Sequence, residues 1–479
     1  MERCRKIVAK FSKDICMDFG LDKCAVIHTV KGKTINSPIL SDIPVLSTED
    51  SYRYLGILEG TDILHTKVKE TAKKEYLTRI RSILKADINA HNTASAISTF
   101  AMPILRYGFG VLRWTQAELK GIDRKTRKIM TKYGFHHPKS DTNRLYIPRM
   151  LGGRGVTSVT DCYQQECTGV AKYLDGNNWD PLVDIVKKSE RKRVRGLMSF
   201  MTEETMKDFK DQMSKERETK LVEMPLHGQW FRQQQELPIY DTVRSNEWLK
   251  NSNLRFETES LICAAQEQAL ATRNIQAKIW KNGTCSKCRL CKEQDETINH
   301  IISGCKMLAA TKYLHRHNQI ATYLHWCIAK DMGVEVAPSW LKHKPQESVS
   351  KDGKVLLWDM KIITDTRVPA NRPDIIVHDK EKKSCLIIDV AVPVDKNSVK
   401  KIAEKITKYR DLEIEIQKCW GLTKVKTVPI VVGALGTICS GLEDYLKLVS
   451  PNARLNIIQK TALLGTAHIL RNVLTSNKN

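Results

Sequence analysis

The spacing of apolar residues divides the chain into predicted helices and strands. Near the start, four apolar residues recur at every fourth position, at Ile7, Phe11, Ile15 and Phe19. This spacing is typical of one face of an amphipathic helix, which we expect to end at Gly20. Residues 23–30 and 51–58 then have strand character. The pattern of residues 61–175 is mostly helical, and residues 176–260 are highly charged with a helical pattern.

A hairpin that carries two acids is predicted towards the C-terminal end. Residues 374–378 alternate in polarity, residues 380–384 form a polar turn, and residues 385–392 are an apolar run suited to a buried strand. If the two strands pair, Asp374 and Asp389 meet at one end of the sheet. An acid inside an apolar strand is costly to bury unless it is paired or binds a metal. Two carboxylates at one point predict a magnesium site.

A basic helix follows the second predicted strand. Lys401, Lys405 and Tyr409 fall on one helical face, and Lys408 lies three residues after Lys405. A cation here would orient an attacking water or stabilise charge on a phosphoryl transition state. Arg372, just before the first acid, would contact a scissile phosphate. The pattern indicates a metal-dependent nuclease. The alternative is an ordinary strand–helix unit with a capping aspartate and a solvated basic face.

The same region contains enough further elements for a small domain. Residues 354–365 and 428–435 are predicted strands, and residues 442–448 and 453–474 are predicted helices. The resulting order, three strands, a helix, a strand and helices, fits a small α/β nuclease core.

A cluster of possible metal ligands precedes this region. Four cysteine and histidine residues fall within eighteen positions, at Cys288, Cys291, His300 and Cys305. Thiolate and imidazole are the ligands that structural zinc prefers, and four of them leave no open position for catalysis. Cys285 offers an alternative register, because it also forms a CxxC pair with Cys288. The other interpretation is four unrelated residues in a cysteine-rich chain. The histidines of the helix predicted over residues 315–329 are interpreted as bystanders.

Composition narrows the class of partner. The 479 residues include 78 Lys+Arg against 54 Asp+Glu, a net charge of +24, which favours a polyanionic partner such as nucleic acid. The sequence contains no run of eighteen apolar residues and no apolar signal-peptide core at its start, so we expect no membrane span. Its 14 cysteines are expected to be reduced thiols and metal ligands rather than a disulfide framework. The basic cluster 191–195 is either a nuclear-import signal or a charged helix surface.

The residues around the two acids resemble a known family. Pro373-Asp374, a gap of fourteen residues, Asp389 and a following KxxKY helix are similar to the restriction-like endonuclease of site-specific non-LTR retrotransposons, which belongs to the PD-(D/E)xK nuclease class. Ala391 stands where that class usually has its lysine. The family relocates this lysine to the helix, so the resemblance implies that Lys405, with Lys408 and Tyr409 nearby, takes the role.

Other segments resemble neighbouring parts of the same elements. The register from Cys288 matches their CCHC zinc knuckle, and residues 18–27 with residues 52–57 resemble the final palm segment of their reverse transcriptase. Residues 147–159 are similar to the segment after the thumb. The paired catalytic aspartates of that polymerase lie upstream of the palm segment, and this chain has no Asp-Asp dipeptide. We therefore expect the C-terminal part of a polyprotein that does not polymerise by itself.

The resemblance implies a multidomain chain of mixed α/β and α structure. The expected parts are listed in order: a palm remnant (1–60), a helical thumb-like domain (61–175), a charged helical connector (176–260), a CCHC zinc-knuckle region (261–330) and a restriction-like endonuclease domain (331–479). The implied activity is magnesium-dependent nicking of target DNA, whose 3′ hydroxyl then primes reverse transcription. The expected metals are structural zinc and catalytic magnesium, and the expected location is the nucleus. The expected partners are target DNA, element RNA and either an upstream polymerase half or a second copy of the chain. The alternatives are a non-catalytic nucleic-acid-binding remnant and a zinc-knuckle scaffold for protein partners.

Overall fold

The computed structural model shows a mixed α/β protein that is mostly helical. It describes residues 2–17, 20, 24–31, 33–35, 43–47, 50–60, 63–177, 179–202 and 206–475. Phe19 and residues 21–23, which the predicted first helix and strand include, lie outside the described residues. Within the described ranges, no helix combines the length and apolar character needed to cross a membrane.

The helices are numbered in chain order. Those of the first half are α1 Glu2–Asp14, α2 His65–Lys85, α3 Ala90–Ala96, α4 Met102–Phe109, α5 Gln116–Lys132, α6 Thr142–Tyr146, α7 Val159–Gly176, α8 Pro181–Ser189, α9 Arg191–Met198, α10 Met206–Glu223 and α11 Gln229–Glu236. Those of the second half are α12 Thr242–Asn251, α13 Phe256–Gln266, α14 Arg273–Lys278, α15 Ile298–Ser303, α16 Lys306–Leu308, α17 Leu314–Asp331, α18 Ser398–Lys408, α19 Arg410–Cys419, α20 Leu442–Val449 and α21 Leu455–Thr475. Short π-helical segments at Ile97–Ala101 and Ala309–Tyr313 lead into α4 and α17.

The strands form two small hairpins and one larger sheet. They are β1 Thr29–Val30, β2 Lys33–Thr34, β3 Tyr52–Tyr54, β4 Ile57–Glu59, β5 Ser348–Lys351, β6 Lys354–Trp358, β7 Ile375–Asp379, β8 Ser384–Ala391 and β9 Lys424–Val431. The larger sheet has the order β5-β6-β7-β8-β9. Its first four strands are antiparallel neighbours, and β9 runs parallel to β8 after the crossover through α18 and α19. Such a crossover is the usual way to join parallel strands.

The chain divides into two compact units, each built from separate stretches. Unit 1 comprises Met1–Ile83, Ile97–Thr126 and Thr157–Glu203. Unit 2 comprises Leu84–Ala96, Arg127–Val156 and Glu204–Asn479, and it contains the five-stranded sheet. The five-part division expected from the resemblance stays a prediction.

The predicted hairpin is confirmed, and the packing of the sheet explains its sequence. Ile375 pairs with Ile388 in the antiparallel β7–β8 register. Ile388 belongs to a core with α17, α20 and α21 on one face, whereas Ile387 packs with Tyr409 and Leu412 beside α19 on the other. Because both faces of β8 are covered, the strand is a nearly continuous apolar run rather than an alternating one.

Other predicted boundaries shift by a few residues. The strand predicted over 354–365 ends at Trp358, and the one predicted over 428–435 is Lys424–Val431. Residues 432–435 stay buried beyond the end of the strand, where the Val432 and Ala434 N–H groups bond to the Ala391 and Pro393 carbonyls and the Gly433 N–H bonds to the Thr437 carbonyl. The helix predicted over 315–329 is confirmed as Leu314–Asp331.

Candidate functional site

The two predicted acids lie on neighbouring strands of unit 2. Asp374 directly precedes β7, and Asp389 lies within β8. The register that pairs Ile375 with Ile388 places Asp374 opposite Asp389 when it is continued by one residue. Asp389 is only 2% exposed, and Asp374 is half-buried. Two carboxyl groups are thus held at the same end of the sheet, out of most of the solvent.

Asp389 is surrounded by the helix that follows it. Lys405 forms an ion pair with its Oδ2, and the Lys408 Nζ lies 3.6 Å from its Oδ1. The Tyr409 hydroxyl donates a hydrogen bond to the same Oδ1 and accepts one of 2.7 Å from Lys408. Burial, followed by the neighbouring Asp389 carboxylate, raises the pKa of Tyr409. The tyrosine is therefore a neutral donor that fixes the carboxylate, while the two lysines compensate its charge.

Asp374 has a different set of partners. Its Oδ2 accepts hydrogen bonds from the Val390 N–H at 2.6 Å and from the His317 Nε2 at 2.9 Å. Burial alone would raise the pKa of Asp374, but the hydrogen bond and charge of His317 outweigh it and lower the pKa. Burial lowers the pKa of His317, yet the bond to Asp374 prevails and raises that pKa to about 8. The two groups form an ion pair at neutral pH.

His317 was interpreted from the sequence as a bystander, but in the structure it contacts Asp374, one of the predicted site residues. It lies in the first turn of α17, and its Nε2 also lies 3.1 Å from the Val390 carbonyl oxygen. The sequence signal that would have identified His317 is its spacing from the apolar residues of the same helix. Ile320, Ala321 and Leu324, which are three, four and seven residues further on, are all buried in the core. His317 therefore continues the buried stripe of the helix towards the strand that carries Asp389.

Arg372 pairs with a different acid. Its guanidinium forms two hydrogen bonds of 2.9 and 3.0 Å with the Asp359 carboxylate and a third with the Asp359 carbonyl. The side chains of both residues are more than half exposed. The structure thus gives Arg372 an exposed acid as its partner, and no hydrogen bond or ion pair between Arg372 and Asp374 is found among the described residues.

A groove beside the acids carries mostly positive charge. It encloses about 510 Å³, and its lining includes His317, Lys405, Lys400, Lys401 and Arg316. The lining acid is Glu404, which pairs with Lys401 at 2.7 Å. Basic side chains along a groove suit the phosphate backbone of a nucleic acid.

The second predicted site is also assembled in unit 2. The ligand atoms of Cys288, Cys291, His300 and Cys305 all lie within 4.8 Å of one another. The Cys288 and Cys305 sulfurs are 4.0 Å apart, and the Cys291 sulfur is 3.4 Å from the His300 Nε2. Zinc–sulfur bonds of about 2.3 Å in a tetrahedron put two sulfurs roughly 3.8 Å apart, close to the observed spacing. The group could therefore hold a metal ion such as zinc.

Neighbouring side chains hold the ligands in place. The Gln294 Oε1 lies 3.0 Å from the His300 Nδ1, so that the Nε2 faces the sulfurs. The Tyr313 hydroxyl accepts a bond of 3.0 Å from the Cys305 N–H and contacts the His300 carbonyl at 3.1 Å. Cys285 is exposed and is not a member of the group, which favours the Cys288 register.

The geometry brings five of the six predicted nuclease residues together and adds one. Lys405, Lys408 and Tyr409 contact Asp389, and His317 links Asp374 to strand β8. No protein-family model and no curated protein matches the sequence.

Proposed function

We propose that unit 2 carries a magnesium-dependent DNA endonuclease of the restriction-like type, within the C-terminal part of a non-LTR retrotransposon polyprotein. The observation that carries this proposal is the placement of Asp374 and Asp389 on adjacent strands, with Lys405 ion-paired to the second acid. In this proposal the enzyme works in the nucleus and nicks target DNA, and the 3′ hydroxyl primes copying of element RNA. Its partner in this proposal is an upstream polymerase half or a second copy of the chain.

The donor set near the acids fits a hard divalent cation. The register of β7 and β8 holds Asp374 and Asp389 at the same end of the sheet, so the proposed ligands are carboxylate oxygens from two neighbouring segments. Magnesium prefers such oxygens and keeps several waters. Asp374 and Asp389 would hold the ion, and it would supply charge for the phosphoryl oxygen and acidify a bound water.

The protein groups have separate tasks in this proposal. The groove cations Lys400 and Lys401 bind the DNA backbone and bring one phosphate beside the acids. Lys405, which is mostly buried, is close enough to Asp389 to orient the attacking water and to stabilise negative charge on the phosphate. Tyr409 holds Asp389 in place through its hydroxyl.

Nicking of supercoiled plasmid tests the proposal. Asp374→Ala is expected to abolish magnesium-dependent nicking and to leave DNA binding in place. Asp359→Ala is the matched control, since Asp359 is an exposed acid of the same domain that pairs with Arg372. Nicking that continues unchanged in Asp374→Ala would overturn the assignment.

A second candidate is a nucleic-acid-binding protein without catalysis. It is favoured by the charge balance of the site, because Lys405 already pairs with Asp389 and His317 with Asp374. Under this alternative, a gel shift shows a steep salt dependence and neither magnesium nor manganese supports cleavage.

A further inference from the structure

Unit 1 contains a cavity that the nuclease proposal does not use. It encloses about 460 Å³ between the end of α4 and the helices α7 and α9. This volume lies within the roughly 300–1,000 Å³ of sites that bind small ligands. All the lining residues belong to unit 1, so the cavity is complete within that unit.

One side of the cavity is aromatic. Phe109, Trp114, Tyr163 and Phe200 line it, and Phe109 contacts both Trp114 and Tyr163 edge to face. Trp114 is 8% exposed, and its indole N–H has no hydrogen-bond acceptor among the described residues. The indole nitrogen is itself buried, so the wall contributes aromatic surface rather than a hydrogen-bond donor.

The other side is strongly basic. Five cations line it together with the single acid Glu190: Arg113, Lys188, Arg191, Lys192 and Arg193. Three of them, Arg191, Lys192 and Arg193, belong to the basic cluster 191–195, which the sequence left open as an import signal or a charged helix surface.

Two of the cations that line this side are the arginines Arg113 and Arg193. The Arg193 guanidinium is held by a hydrogen bond to the Gly110 carbonyl, which uses one of its five donors. Burial and then the neighbouring Arg113 lower the pKa of Arg193. An anion beside both groups would relieve this repulsion, and guanidinium is the side chain best suited to a phosphate.

We propose that this cavity binds one nucleotide of a single-stranded nucleic acid, with the phosphate at Arg113 and Arg193 and the base against the aromatic wall beside Trp114. Stacking on such a wall stabilises a bound base and tolerates every base, because each base has an aromatic face. The cavity is thus a nucleotide-binding site of unit 1 that is independent of the acids in unit 2.

Fluorescence anisotropy with a labelled twelve-nucleotide oligouridylate tests the site in the full chain, without added divalent cations. Arg113→Ala is expected to weaken binding about tenfold and to lower the salt slope by about one, as the loss of one phosphate contact requires. Trp114→Phe keeps an aromatic surface and is expected to leave binding within about twofold. Arg195→Ala is the control, because Arg195 is a cation of α9, the helix that carries Arg193, and does not line the cavity.

Photocrosslinking gives a second measurement. An oligonucleotide with 4-thiouridine is expected to crosslink to peptides containing Trp114 or Tyr163, and Arg113→Ala is expected to reduce that product. Equal affinity in Arg113→Ala and Arg195→Ala would overturn the proposal. It would also be overturned if uridine monophosphate bound the cavity while the oligonucleotide showed no dependence on Arg113, since the ligand would then be a free nucleotide. Competition by inorganic phosphate as strong as by uridine monophosphate would show that the base is not bound.

Discussion

The His317 Nε2 lies 2.9 Å from the Asp374 Oδ2, and this contact joins a helix to the first acid of the sheet. The same nitrogen lies 3.1 Å from the carbonyl of Val390, the residue after Asp389. One imidazole thus ties together both strands of the hairpin at the end where the acids lie. His317 is therefore a positioning residue of the proposed site, because it acts through Asp374.

Replacing either acid by its amide is expected to remove nicking selectively. In Asp374→Asn or Asp389→Asn, the site keeps its shape but loses a charge that the metal needs, so nicking falls at least about 100-fold. DNA affinity measured by gel shift is expected to stay within a few-fold. Asp359→Asn should nick normally. Equal loss of nicking in Asp359→Asn would point to a general effect of charge.

Substitutions of two lysines in α18 are expected to affect nicking and DNA binding differently. Lys405→Ala removes the ion pair to Asp389 and should lower the nicking rate roughly 100-fold, with DNA affinity little changed. Lys401→Ala removes a groove cation that pairs with Glu404, and it should weaken DNA binding and its salt dependence while nicking at saturating enzyme persists. If the two variants behaved alike, Lys405 would have no special role. Lys408→Ala in the same assay shows whether the more distant lysine contributes.

Removing the imidazole is expected to weaken metal binding. His317→Asn loses the contact that orients Asp374, a change that typically costs 10–100-fold in metal affinity. Manganese binding followed by electron paramagnetic resonance measures this without reference to activity. His315→Asn, on the same helical turn, is the control. Unchanged manganese affinity in His317→Asn would show that the imidazole does not support the site.

The His317–Asp374 pair also predicts a pH dependence of stability in the metal-free protein. The folded pKa of His317 is raised to about 8 from an unfolded value near 6.5, so its contribution is fully present below pH 6.5 and is lost as the pH rises through about 8. The contribution amounts to about 2 kcal/mol in the free energy of unfolding. Urea denaturation should therefore show a smaller difference between the wild type and His317→Asn at pH 9 than at pH 6. Equal differences at both pH values would exclude this linkage.

For Asp374, the contribution to the free energy of unfolding changes with pH in the opposite direction, and it does so at acidic pH. Its folded pKa is lowered, so its contribution is present above the unfolded value and is lost as the pH falls through the folded pKa. The pair as a whole is expected to stabilise unit 2 most in the mildly acidic to neutral range.

The Cys3His group is expected to bind one zinc ion per chain. Cys288→Ser and Cys305→Ser should lose the metal, measured by mass spectrometry of the metal content, and should lower the thermal midpoint because ligand binding is part of the folding free energy. Cys285→Ser should retain both metal and midpoint, since Cys285 is exposed and outside the group. Loss of zinc in Cys285→Ser would instead support the alternative register.

Local patterns predicted much of the site because its key residues are close in the sequence. The hairpin follows from two strand patterns and a polar turn, and the Cys3His group follows from spacing within eighteen residues. The choice of Cys288 over Cys285 rested on the resemblance, and the burial of Cys288 favours it.

The residues that sequence reasoning missed depend on tertiary packing. His317 comes to Asp374 from 57 positions earlier in the chain, and only the packing of α17 on the sheet joins them. Arg372 lies two residues before Asp374, but its guanidinium pairs with Asp359, 13 positions earlier in the chain, and this pairing depends on the packing of the segments rather than on a local pattern. Unit 2 also gathers Leu84–Ala96 and Arg127–Val156 from between parts of unit 1, which no local pattern indicates.

Tyr313 lies four residues before His317, about one turn earlier in the continuous helical segment that leads into α17. The Tyr313 hydroxyl accepts a hydrogen bond from the Cys305 N–H, whereas the His317 imidazole, one turn later, contacts Asp374. Removing the metal ion from the cysteines would weaken the contact of Tyr313 with this group. His317, one turn later on the same helix, would then be held less firmly against Asp374. A chelator that removes only the metal at the cysteines would then still lower the rate of the proposed DNA nicking. The two proposed metal sites would be coupled through one turn of helix.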